Sequence, residues 1–392
     1  MNSLSSEDTV NRYTALQGMK ILFVFGSFDL GGAERQGVLL ADFLKNRCRS
    51  DVRIWGLDQR PGRLADLCDQ YGIPWQGIRF HWGLRRGVSH FFEFVARMRE
   101  QRPDILISYT CVPNIVCALV WKLAGARLCV WNQADEGLLL NRGPLHRFAV
   151  KRPHCFISNS KGGKDFLVKN YGFGPEAIQM IRNGIPARNP IAGRTAWRKQ
   201  LGLAPDSFAA CMVANLSRHK DHVTLLKAWR EVLDRSGDSR AVLVLAGRFD
   251  GTEKVLHHLC EELGIFDQVR FLGKVDDVDG LLDAVDLFAY SSRSEGVPNA
   301  VLEAMAAGLP VVATDIPGIR EAAGPEGSGF LAPVGDHRAF ADRILLFLHD
   351  DLLRRTSGAQ LKARVESEFS IDRMCEETAT LLCSALRKTE EM

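Results

Sequence analysis

The stretch that decides the fold is residues 290–308, which read YSSRSEGVPNAVLEAMAAG. It follows a short apolar run at 287–289, so the pattern predicts a strand, then a loop, then a helix. Gly296 would let the backbone approach a ligand closely, and Pro298 stiffens the entry into the helix. Amides at a helix start favour phosphate oxygens. Here those amides belong to Val297, Asn299 and Ala300.

Two glutamates in this stretch are candidate ligand contacts. Glu303 falls about one turn into the predicted helix, where a carboxylate can accept hydrogen bonds from two vicinal hydroxyls, as in ribose. Glu295 lies on the loop, where we expect it to contact a sugar. The alternative is that acidic residues near a helix start only complement the helix dipole.

The rest of the chain repeats the strand and helix alternation. Short apolar runs occur at 21–25, 52–55, 105–108, 128–131 and 156–158, and again at 210–214, 242–246, 269–272, 287–289 and 311–313. A segment rich in Pro, Gly and Asn at 183–193 separates the two groups. We therefore expect an α/β protein of two Rossmann-like domains, with parallel sheets whose strand ends face a central cleft.

The predicted domain limits follow from these groups. Residues 1–18 are polar and lack the plan of a signal peptide, so we expect a disordered lead-in. Residues 19–188 are expected to form the N-terminal domain and residues 189–370 the C-terminal domain. A final helix at 371–392 is expected to pack back toward the N-terminal domain.

Composition excludes several classes of protein. Of 392 residues, 46% are hydrophobic and 25% are charged, and no run approaches the roughly 20 apolar residues of a membrane span. A net charge of +3 is too small for the basic surface that nucleic acid requires. Ten scattered cysteines without a CxxC pair fit buried free thiols in a reducing cytoplasm.

Two further loops could bind phosphate. After the run at 210–214 come Asn215, Arg218 and Lys220, polar groups that would lie near a helix start and stabilise a leaving diphosphate. The alternative is an exposed basic loop. In the first domain, Gly31 and Gly32 precede a predicted helix but lack the GxGxxG spacing of a dinucleotide site. They could contact a phosphate or a sugar at the helix start, or they could form only a tight turn.

The sequence gives little support for a metal site or for a catalytic nucleophile. The acidic run at 276–279 precedes a predicted helix, where acidic N-caps are expected. His257 and His258 lack the spacing of a zinc pair, and no Gly-x-Ser-x-Gly elbow occurs. We expect no metal and no cofactor.

The pattern E-G-x-P-N-x-x-L-E-A-M-A-x-G-x-P-V-V-A at 295–313 resembles family 4 of the glycosyltransferases, which have the GT-B fold. The resemblance runs from about Lys20 to the C-terminal helices. It implies that the N-terminal domain at 19–188 binds the acceptor and that the C-terminal domain at 189–370 binds the nucleotide-sugar donor. It implies a metal-independent hexosyltransferase that moves a sugar from a nucleotide-diphosphate donor to a glycan or lipid-linked acceptor, with retention of configuration, in glycan or cell-envelope polysaccharide biosynthesis.

The resemblance also implies roles for single residues. Glu295 would lie beside the donor sugar, Glu303 would hold the ribose and Lys220 the diphosphate. The backbone at Gly273 and Lys274 would meet the nucleobase. The remaining positions are the first-domain loop glycine Gly32 and the phosphate and sugar loop residues Val297 and Asn299.

The chain departs from the family pattern in two places. Many members have an arginine where this chain has Asn215, which leaves open whether Arg218 replaces that cation. Many also carry a histidine in the loop that corresponds to residues 131–137, and this chain has none there. Gln133 and Asp135 are the acceptor candidates on that loop.

Residues 79–94 mix cations with aromatic residues, a composition typical of contact with an anionic membrane. Such contact would place the enzyme on the inner face of the membrane. In the alternative, Phe91, Phe92, Val95 and Met98 form the buried stripe of an ordinary helix.

Two other functions remain open from sequence: a nucleotide-sugar epimerase of the same fold, and a catalytically silent nucleotide-sugar-binding subunit. The sequence does not identify the nucleobase, the hexose or the acceptor, because a ligand bound by backbone groups does not require particular side chains.

Overall fold

The structure is a computed structural model that describes residues 12–80, 87–135, 137, 140, 143–218 and 220–390. The chain divides into two compact units. The N-terminal unit runs to Gly184 and also contains the chain from Ile371 onward, whereas the C-terminal unit spans residues 185–370. The observed division after Gly184 comes earlier than the expected boundary at 188–189.

The N-terminal unit contains a parallel sheet in the order β3-β2-β1-β4-β5-β6-β7. Its strands are β1 Lys20–Phe25, β2 Asp51–Gly56, β3 Trp75–Gly77, β4 Ile105–Tyr109, β5 Leu128–Gln133, β6 Cys155–Ser158 and β7 Ile178–Met180. The five strands predicted for this half are confirmed. The outer strands β3 and β7 escaped prediction because each has only three residues and no apolar run.

Helices cover both faces of this sheet. They are α1 Gly32–Asn46, α2 Arg63–Gln70, α3 Gly87–Gln101, α4 Cys111–Val120, α5 Pro144–Val150 and α6 Lys161–Tyr171. Side chains alternate along β1, so Ile21 and Phe23 pack with α1 and α2 whereas Leu22 and Val24 pack with α3 and α4. Burial on both faces explains why the strands read as continuous apolar runs.

Two expectations for the N-terminal unit need correction. Residues 12–18 are not a disordered lead-in, because Tyr13 and Leu16 are buried around a 3-10 turn at Thr14–Leu16; residues 1–11 lie outside the described part. On α3, Val95 and Met98 are buried as the predicted stripe requires, but Phe92 is exposed. Of the aromatic and basic segment, residues 81–86 also lie outside the described part.

The C-terminal unit contains a second parallel sheet, in the order β10-β9-β8-β11-β12-β13. Its strands are β8 Ala209–Val213, β9 Val242–Ala246, β10 Val269–Gly273, β11 Leu287–Tyr290, β12 Val311–Thr314 and β13 Leu331–Ala332. The first five match the predicted runs. The two-residue strand β13 is too short to give a periodic signal.

Helices again enclose the sheet. They are α7 Arg194–Gln200, α8 His222–Ser236, α9 Glu253–Glu262, α10 Val278–Ala284, α11 Asn299–Ala306, α12 Pro317–Gly327, α13 His337–His349 and α14 Asp351–Glu368. One apolar cluster contains residues from the sheet and from these helices, with Trp229 of α8 and Phe288 of β11 completely buried. This unit therefore has its own core.

The last helix, α15 Ile371–Glu390, packs on the N-terminal sheet face that α1 and α2 cover. Its buried side chains include Met374, Leu382 and Leu386. Gly184 lies so close to Ile371 that a Cβ on the glycine would come within 2.5 Å of the Ile371 Cα. The polypeptide at 184 and at 371 is thus fixed within the N-terminal unit.

The ten cysteines are free, and nine of them are buried. Burial raises the pKa of Cys117 and of Cys155 to about 12, so these thiols stay protonated and unreactive at neutral pH. No helix in the described residues is long and apolar enough to cross a membrane.

The acidic run at 276–279 contains a helix N-cap, as predicted: Asp277 caps α10. The Asp277 carboxylate accepts hydrogen bonds from the amides of Ile191, Ala192 and Gly280 at 2.9–3.0 Å and from the Trp197 indole at 2.8 Å. Burial by itself would raise the pKa of Asp277. The four hydrogen-bond donors have the opposite and larger effect, so the pKa falls to about 2. One carboxylate therefore joins residues 191–192 to the start of α10.

We expect Asp277→Ala to lower the free energy of unfolding at pH 7 by about 1–2 kcal/mol, the usual range for loss of a helix N-cap. Asp336→Ala is the matched control, because that N-cap carboxylate accepts a bond from the single amide of Ala339. The free energy of unfolding should fall less in this control than in Asp277→Ala. Urea denaturation followed by circular dichroism measures both.

The effect of Asp277→Ala should also depend on pH. The folded pKa of about 2 lies below the ordinary value of 3.8, so the stabilisation is complete above about pH 4 and is lost as pH falls toward 2. Wild type and variant should therefore converge at low pH. A difference that stays constant from pH 6 to pH 2 would contradict this role.

Candidate functional site

The candidate site lies where the strand order of the C-terminal sheet reverses. From β8 the chain goes to β9 and β10 on one side, then returns to add β11 on the other side of β8. The chain leaves these two neighbouring strands, β8 and β11, toward opposite sides of the sheet. The loops that follow them therefore leave a crevice at their carboxyl ends, which is the usual ligand site of such sheets. The loops after β8 and β11 carry the predicted residues.

The loop after β8 presents Lys220. The Ser217 amide bonds to the Asn215 carbonyl at 2.9 Å, and the Lys220 amide bonds to the Ser217 carbonyl at 3.1 Å, which folds the loop into a tight turn. Asn215 and Arg218 are exposed on this turn, and Lys220 is half-buried. His219 lies outside the described residues.

Lys220 meets Glu295, the residue predicted to lie beside a sugar, in a direct ion pair. The Lys220 ammonium also donates to the Tyr290 hydroxyl at 2.6 Å and lies 5.2 Å from the centre of the Tyr290 ring. The two charged side chains are only 20% and 17% exposed. Partial removal from water strengthens their attraction relative to a surface pair.

Glu295 has two further donors on its own loop. The Tyr290 hydroxyl donates to its carboxylate at 3.1 Å, and the Ser292 hydroxyl donates at 2.7 Å. Burial and the Glu295 charge raise the pKa of Tyr290 well above its ordinary value, so the phenol keeps its proton and can donate. Tyr290 thus bridges the cation and the carboxylate.

Backbone contacts between the two loops hold this arrangement. The Asp221 amide bonds to the Ser291 carbonyl at 3.2 Å, and the Ser291 hydroxyl bonds to the Asp221 carbonyl at 2.8 Å. On the other side, the Ser292 amide bonds to the Thr314 hydroxyl at 3.0 Å, and that hydroxyl donates to the Ser292 carbonyl at 2.8 Å. The β11 loop is therefore held by the start of α8 and by the end of β12.

The start of α8 is buried beneath Lys220. The Asp221 carboxylate accepts from the Thr224 hydroxyl at 2.8 Å and lies 3.7 Å from the Arg293 guanidinium. Burial lowers the pKa of His222 to about 4, so its imidazole is neutral at physiological pH. Lys220 is consequently the cation that this loop directs at Glu295.

Two glycines allow the site loops to lie close to neighbouring segments. A Cβ on Gly318 would lie 1.7 Å from the Gly296 carbonyl oxygen, and a Cβ on Gly247 would lie 1.8 Å from the Ala214 carbonyl oxygen. Any side chain at either position would push a site loop away. Sequence analysis gave neither glycine a role, because both contacts join distant segments.

The helix expected after the β11 loop begins where it was predicted. Pro298 is the N-cap of α11, Val297 is buried, and Glu303 lies half-buried one turn into the helix. Asn299 and Ala300 are the first two residues of α11.

The other predicted donor residues lie further from this pair in the fold. Gly273 ends the outermost strand β10 in a left-handed conformation, with φ of 63°, and Lys274 is exposed. The Gly273 carbonyl accepts from the Gly247 amide at 2.7 Å, which links the β10 and β9 loops. Both residues lie at the carboxyl edge of the sheet.

The N-terminal candidates lie at the carboxyl edge of their own sheet. Gly31 is the N-cap of α1, and both Gly31 and Gly32 are exposed. Gln133 is buried, accepts from the Trp131 indole at 3.0 Å and donates to Asp135 at 3.0 Å. Both ends of the Gln133 amide thus stabilise the loop, and the acceptor role of Gln133 and Asp135 stays a prediction.

No group of three or more His, Cys, Asp or Glu side chains suited to a metal occurs in the described residues. Asp279 of the acidic run bonds to the Asn189 amide at 2.8 Å and lies 3.5 Å from the Arg188 guanidinium.

Tyr290 and Ser292 are site residues to which sequence analysis assigned no role. Both belong to the stretch that decides the fold, and a hydroxyl at the carboxyl end of a strand was the available signal. Lys220, the partner of Tyr290, lies 70 residues away in sequence, so their contact could be identified only from the fold.

Two family models match this chain. The family model described as Glycosyltransferase Family 4 matches residues 30–188, and the model described as Glycosyl transferases group 1 matches residues 193–364. The two models together span both units.

Relatives of known activity are similar along most of the chain. The N-acetyl-alpha-D-glucosaminyl L-malate synthase of Bacillus anthracis is 27% identical over 74% of this chain and 77% of its own length. The UDP-Gal:alpha-D-GlcNAc-diphosphoundecaprenol alpha-1,3-galactosyltransferase of Escherichia coli is 26% identical over 87% of this chain and 91% of its own length.

Among solved structures, Anabaena HepE in complex with UDP-glucose matches with a TM-score of 0.80 and 24% identity, over 93% of this chain and 100% of HepE. A likeness at this identity shows a shared fold.

We expect Gly318→Ala to displace the β11 loop, because its Cβ would overlap the Gly296 carbonyl. Overpacking of this kind costs about 1–3 kcal/mol of stability. Gly329→Ala is the matched control, since a Cβ there meets nothing within 4 Å. Thermal unfolding and hydrogen exchange of the loop amides at 291–298 report the change; equal behaviour of the two variants would rule out this close contact.

Proposed function

Because this chain belongs to the family 4 glycosyltransferases and has their GT-B fold, we propose that it transfers a hexose from a nucleoside-diphosphate sugar to a hydroxyl of a glycan or lipid-linked acceptor, with retention of configuration. The observation that carries the proposal is the Lys220 and Glu295 pair at the carboxyl ends of β8 and β11. The reaction serves glycan or cell-envelope polysaccharide biosynthesis.

The donor is bound by three parts of the C-terminal unit. Lys220 contacts the diphosphate together with the first-turn amides of α11, because a cation and a helix start both attract phosphate oxygens. Glu303 holds the ribose hydroxyls, and the backbone at Gly273 and Lys274 meets the base. UDP is the first candidate nucleotide, since the Escherichia coli relative is named for UDP-Gal and HepE binds UDP-glucose.

Binding of the donor requires an exchange of partners. In the structure, Glu295 holds the Lys220 ammonium. A diphosphate carries more negative charge than a carboxylate and takes this cation, which frees Glu295 to contact the sugar hydroxyls. Tyr290, bonded to both groups, keeps Lys220 at the carboxyl end of β8 during the exchange.

The transfer step needs no protein nucleophile in this proposal. The acceptor oxygen forms a bond to the anomeric carbon on the face from which the diphosphate departs, and the bond from that carbon to the phosphate oxygen breaks. The leaving phosphate takes the acceptor proton. Lys220 stabilises the charge that develops on the diphosphate, with Arg218 as the second cation, so no metal or cofactor is required.

The acceptor is a glycan or a lipid-linked glycan, as the name of the Escherichia coli relative suggests by analogy. Gln133 and Asp135 of the N-terminal unit are the acceptor candidates, and Gly31 and Gly32 of the same unit are candidates for a phosphate or sugar contact. An enzyme with this substrate works in the cytoplasm, in peripheral contact with the inner, anionic face of the membrane.

Product analysis tests the proposal. The protein is incubated with labelled UDP-glucose, UDP-galactose or UDP-N-acetylglucosamine and lipid-linked glycan acceptors. Extension of an acceptor by an α-linked sugar supports transfer with retention. An altered sugar still attached to UDP would show an epimerase, and nucleotide binding without any product would show a silent subunit, the alternative that Asn215 favours by its missing positive charge.

We expect Lys220→Ala to reduce transfer by about 100-fold or more, the usual effect of removing one group that stabilises developing charge. Lys254→Ala on α9 is the control, because this exposed lysine lies outside the site. Initial rates at saturating donor measure the change. A Lys220→Ala enzyme with wild-type turnover would falsify the assignment.

Glu295→Gln should separate binding from catalysis. Removing the competing carboxylate frees Lys220, so affinity for the nucleoside diphosphate should rise roughly two- to fivefold, in line with the strength of a partly exposed ion pair, while sugar transfer falls. Glu303→Gln, which weakens the ribose contact, should lower that affinity instead. Titration calorimetry with UDP and GDP measures both; equal affinities of wild type and Glu295→Gln would contradict the exchange.

A further inference from the structure

Helix α5 belongs to a strongly basic segment of an otherwise balanced chain. The whole sequence has 50 Lys and Arg against 47 Asp and Glu. Residues 137–164 contain no acidic residue at all. They contain six basic ones: Arg142, Arg147, Lys151, Arg152, Lys161 and Lys164. A positive region is therefore fixed by sequence around α5.

Helix α5 buries one side and exposes apolar residues on another. Ala149 and Val150 are buried in the cluster that joins α5 to α4 and α6. Leu145 and Phe148 are 43% and 56% exposed. Because they are three residues apart, they lie on the same face of the helix. Exposure of two large apolar side chains on one helix face suggests a partner.

Cations accompany these apolar side chains. Arg147 lies between them in sequence and Lys151 ends the helix, and both are exposed. The Arg152 guanidinium lies 5.3 Å from the centre of the Phe148 ring. Apolar groups next to cations, within a stretch of sequence that has no acidic residue, complement a surface of acyl chains and phosphate headgroups.

The described part of the aromatic and basic segment at 79–94 matches such a surface less well, and its residues 81–86 lie outside the described part. On α3, the exposed Phe92 adjoins Glu93, whose carboxylate pairs with Arg97 at 2.9 Å. That pair leaves no net charge beside the aromatic side chain. The observations therefore favour α5.

We propose that the outer face of α5, formed by Leu145, Arg147, Phe148 and Lys151, docks on an anionic phospholipid surface. Leu145 and Phe148 enter the boundary between headgroups and acyl chains, while Arg147 and Lys151 contact lipid phosphates. This face follows β5, whose carboxyl end carries Gln133 and Asp135. Its use for a lipid-linked acceptor rests on the proposed function, whereas docking itself does not.

The experiment measures cosedimentation of the full chain with vesicles. One set contains phosphatidylcholine alone, and the other contains phosphatidylcholine with phosphatidylglycerol. Wild type should bind the anionic set and release at high salt. Arg147→Ser with Lys151→Ser should weaken binding roughly 30-fold, since each cation near an anionic surface contributes a factor of about five.

Leu145→Ser with Phe148→Ser should weaken binding about tenfold or more through lost apolar burial. The matched control combines Lys254→Ser and Val255→Ser, an exposed cation and an exposed apolar residue on α9. The control should bind as wild type does. Circular dichroism and the thermal shift with UDP verify that each variant is folded.

Wild type that binds neither vesicle set would overturn the proposal, and α5 would then be a candidate for an acidic protein partner. Binding that the folded α5 variants keep at the wild-type level would also overturn it. If the α5 variants lose vesicle binding while no donor yields a product, docking stands and the proposed transfer fails.

Discussion

The ion pair between Lys220 and Glu295 is the interaction on which the candidate site depends. It joins two loops that meet only because β8 and β11 are neighbours at the reversal of the strand order. The mutual bonds of Asp221 and Ser291 fix the spacing of the loops, and the close approach of Gly318 to Gly296 fixes the depth of the β11 loop. Any shift between these strands would separate the two charges.

The surroundings of the pair make it exchangeable rather than permanent. Both side chains retain some contact with water, so neither charge carries the full cost of burial. The Tyr290 hydroxyl gives the lysine a neutral partner that does not compete with a ligand for its charge. The site therefore holds a positioned cation and a carboxylate that a stronger anion can displace.

Much of the fold could be predicted from the sequence because strands buried on both faces give continuous apolar runs. The Asp277 N-cap was also predictable from local sequence, because an acidic residue precedes a helical pattern there. The short outer strands β3, β7 and β13 lack such a signal. The 3-10 turn at Thr14–Leu16 was missed because its two buried residues, Tyr13 and Leu16, lie in a polar stretch.

The site was only partly predictable, because a role that depends on distant residues leaves no local pattern. Lys220 and Glu295 were both found, one from its position after a strand and the other from its motif. Their direct contact, and the bridge through Tyr290, depend on the order of strands in the sheet. The predictions for Arg218, Asn215, Gln133 and Asp135 concern ligands and are still predictions.

The most direct test is the distance between the Lys220 Nζ and the Glu295 carboxylate in a crystal structure with a bound nucleoside diphosphate. We expect that distance to exceed about 4 Å, the limit for an ion pair, with the ammonium on a phosphate oxygen and the Tyr290 hydroxyl still beside it. An intact pair, with the nucleotide bound away from Lys220, would contradict the central role of this cation.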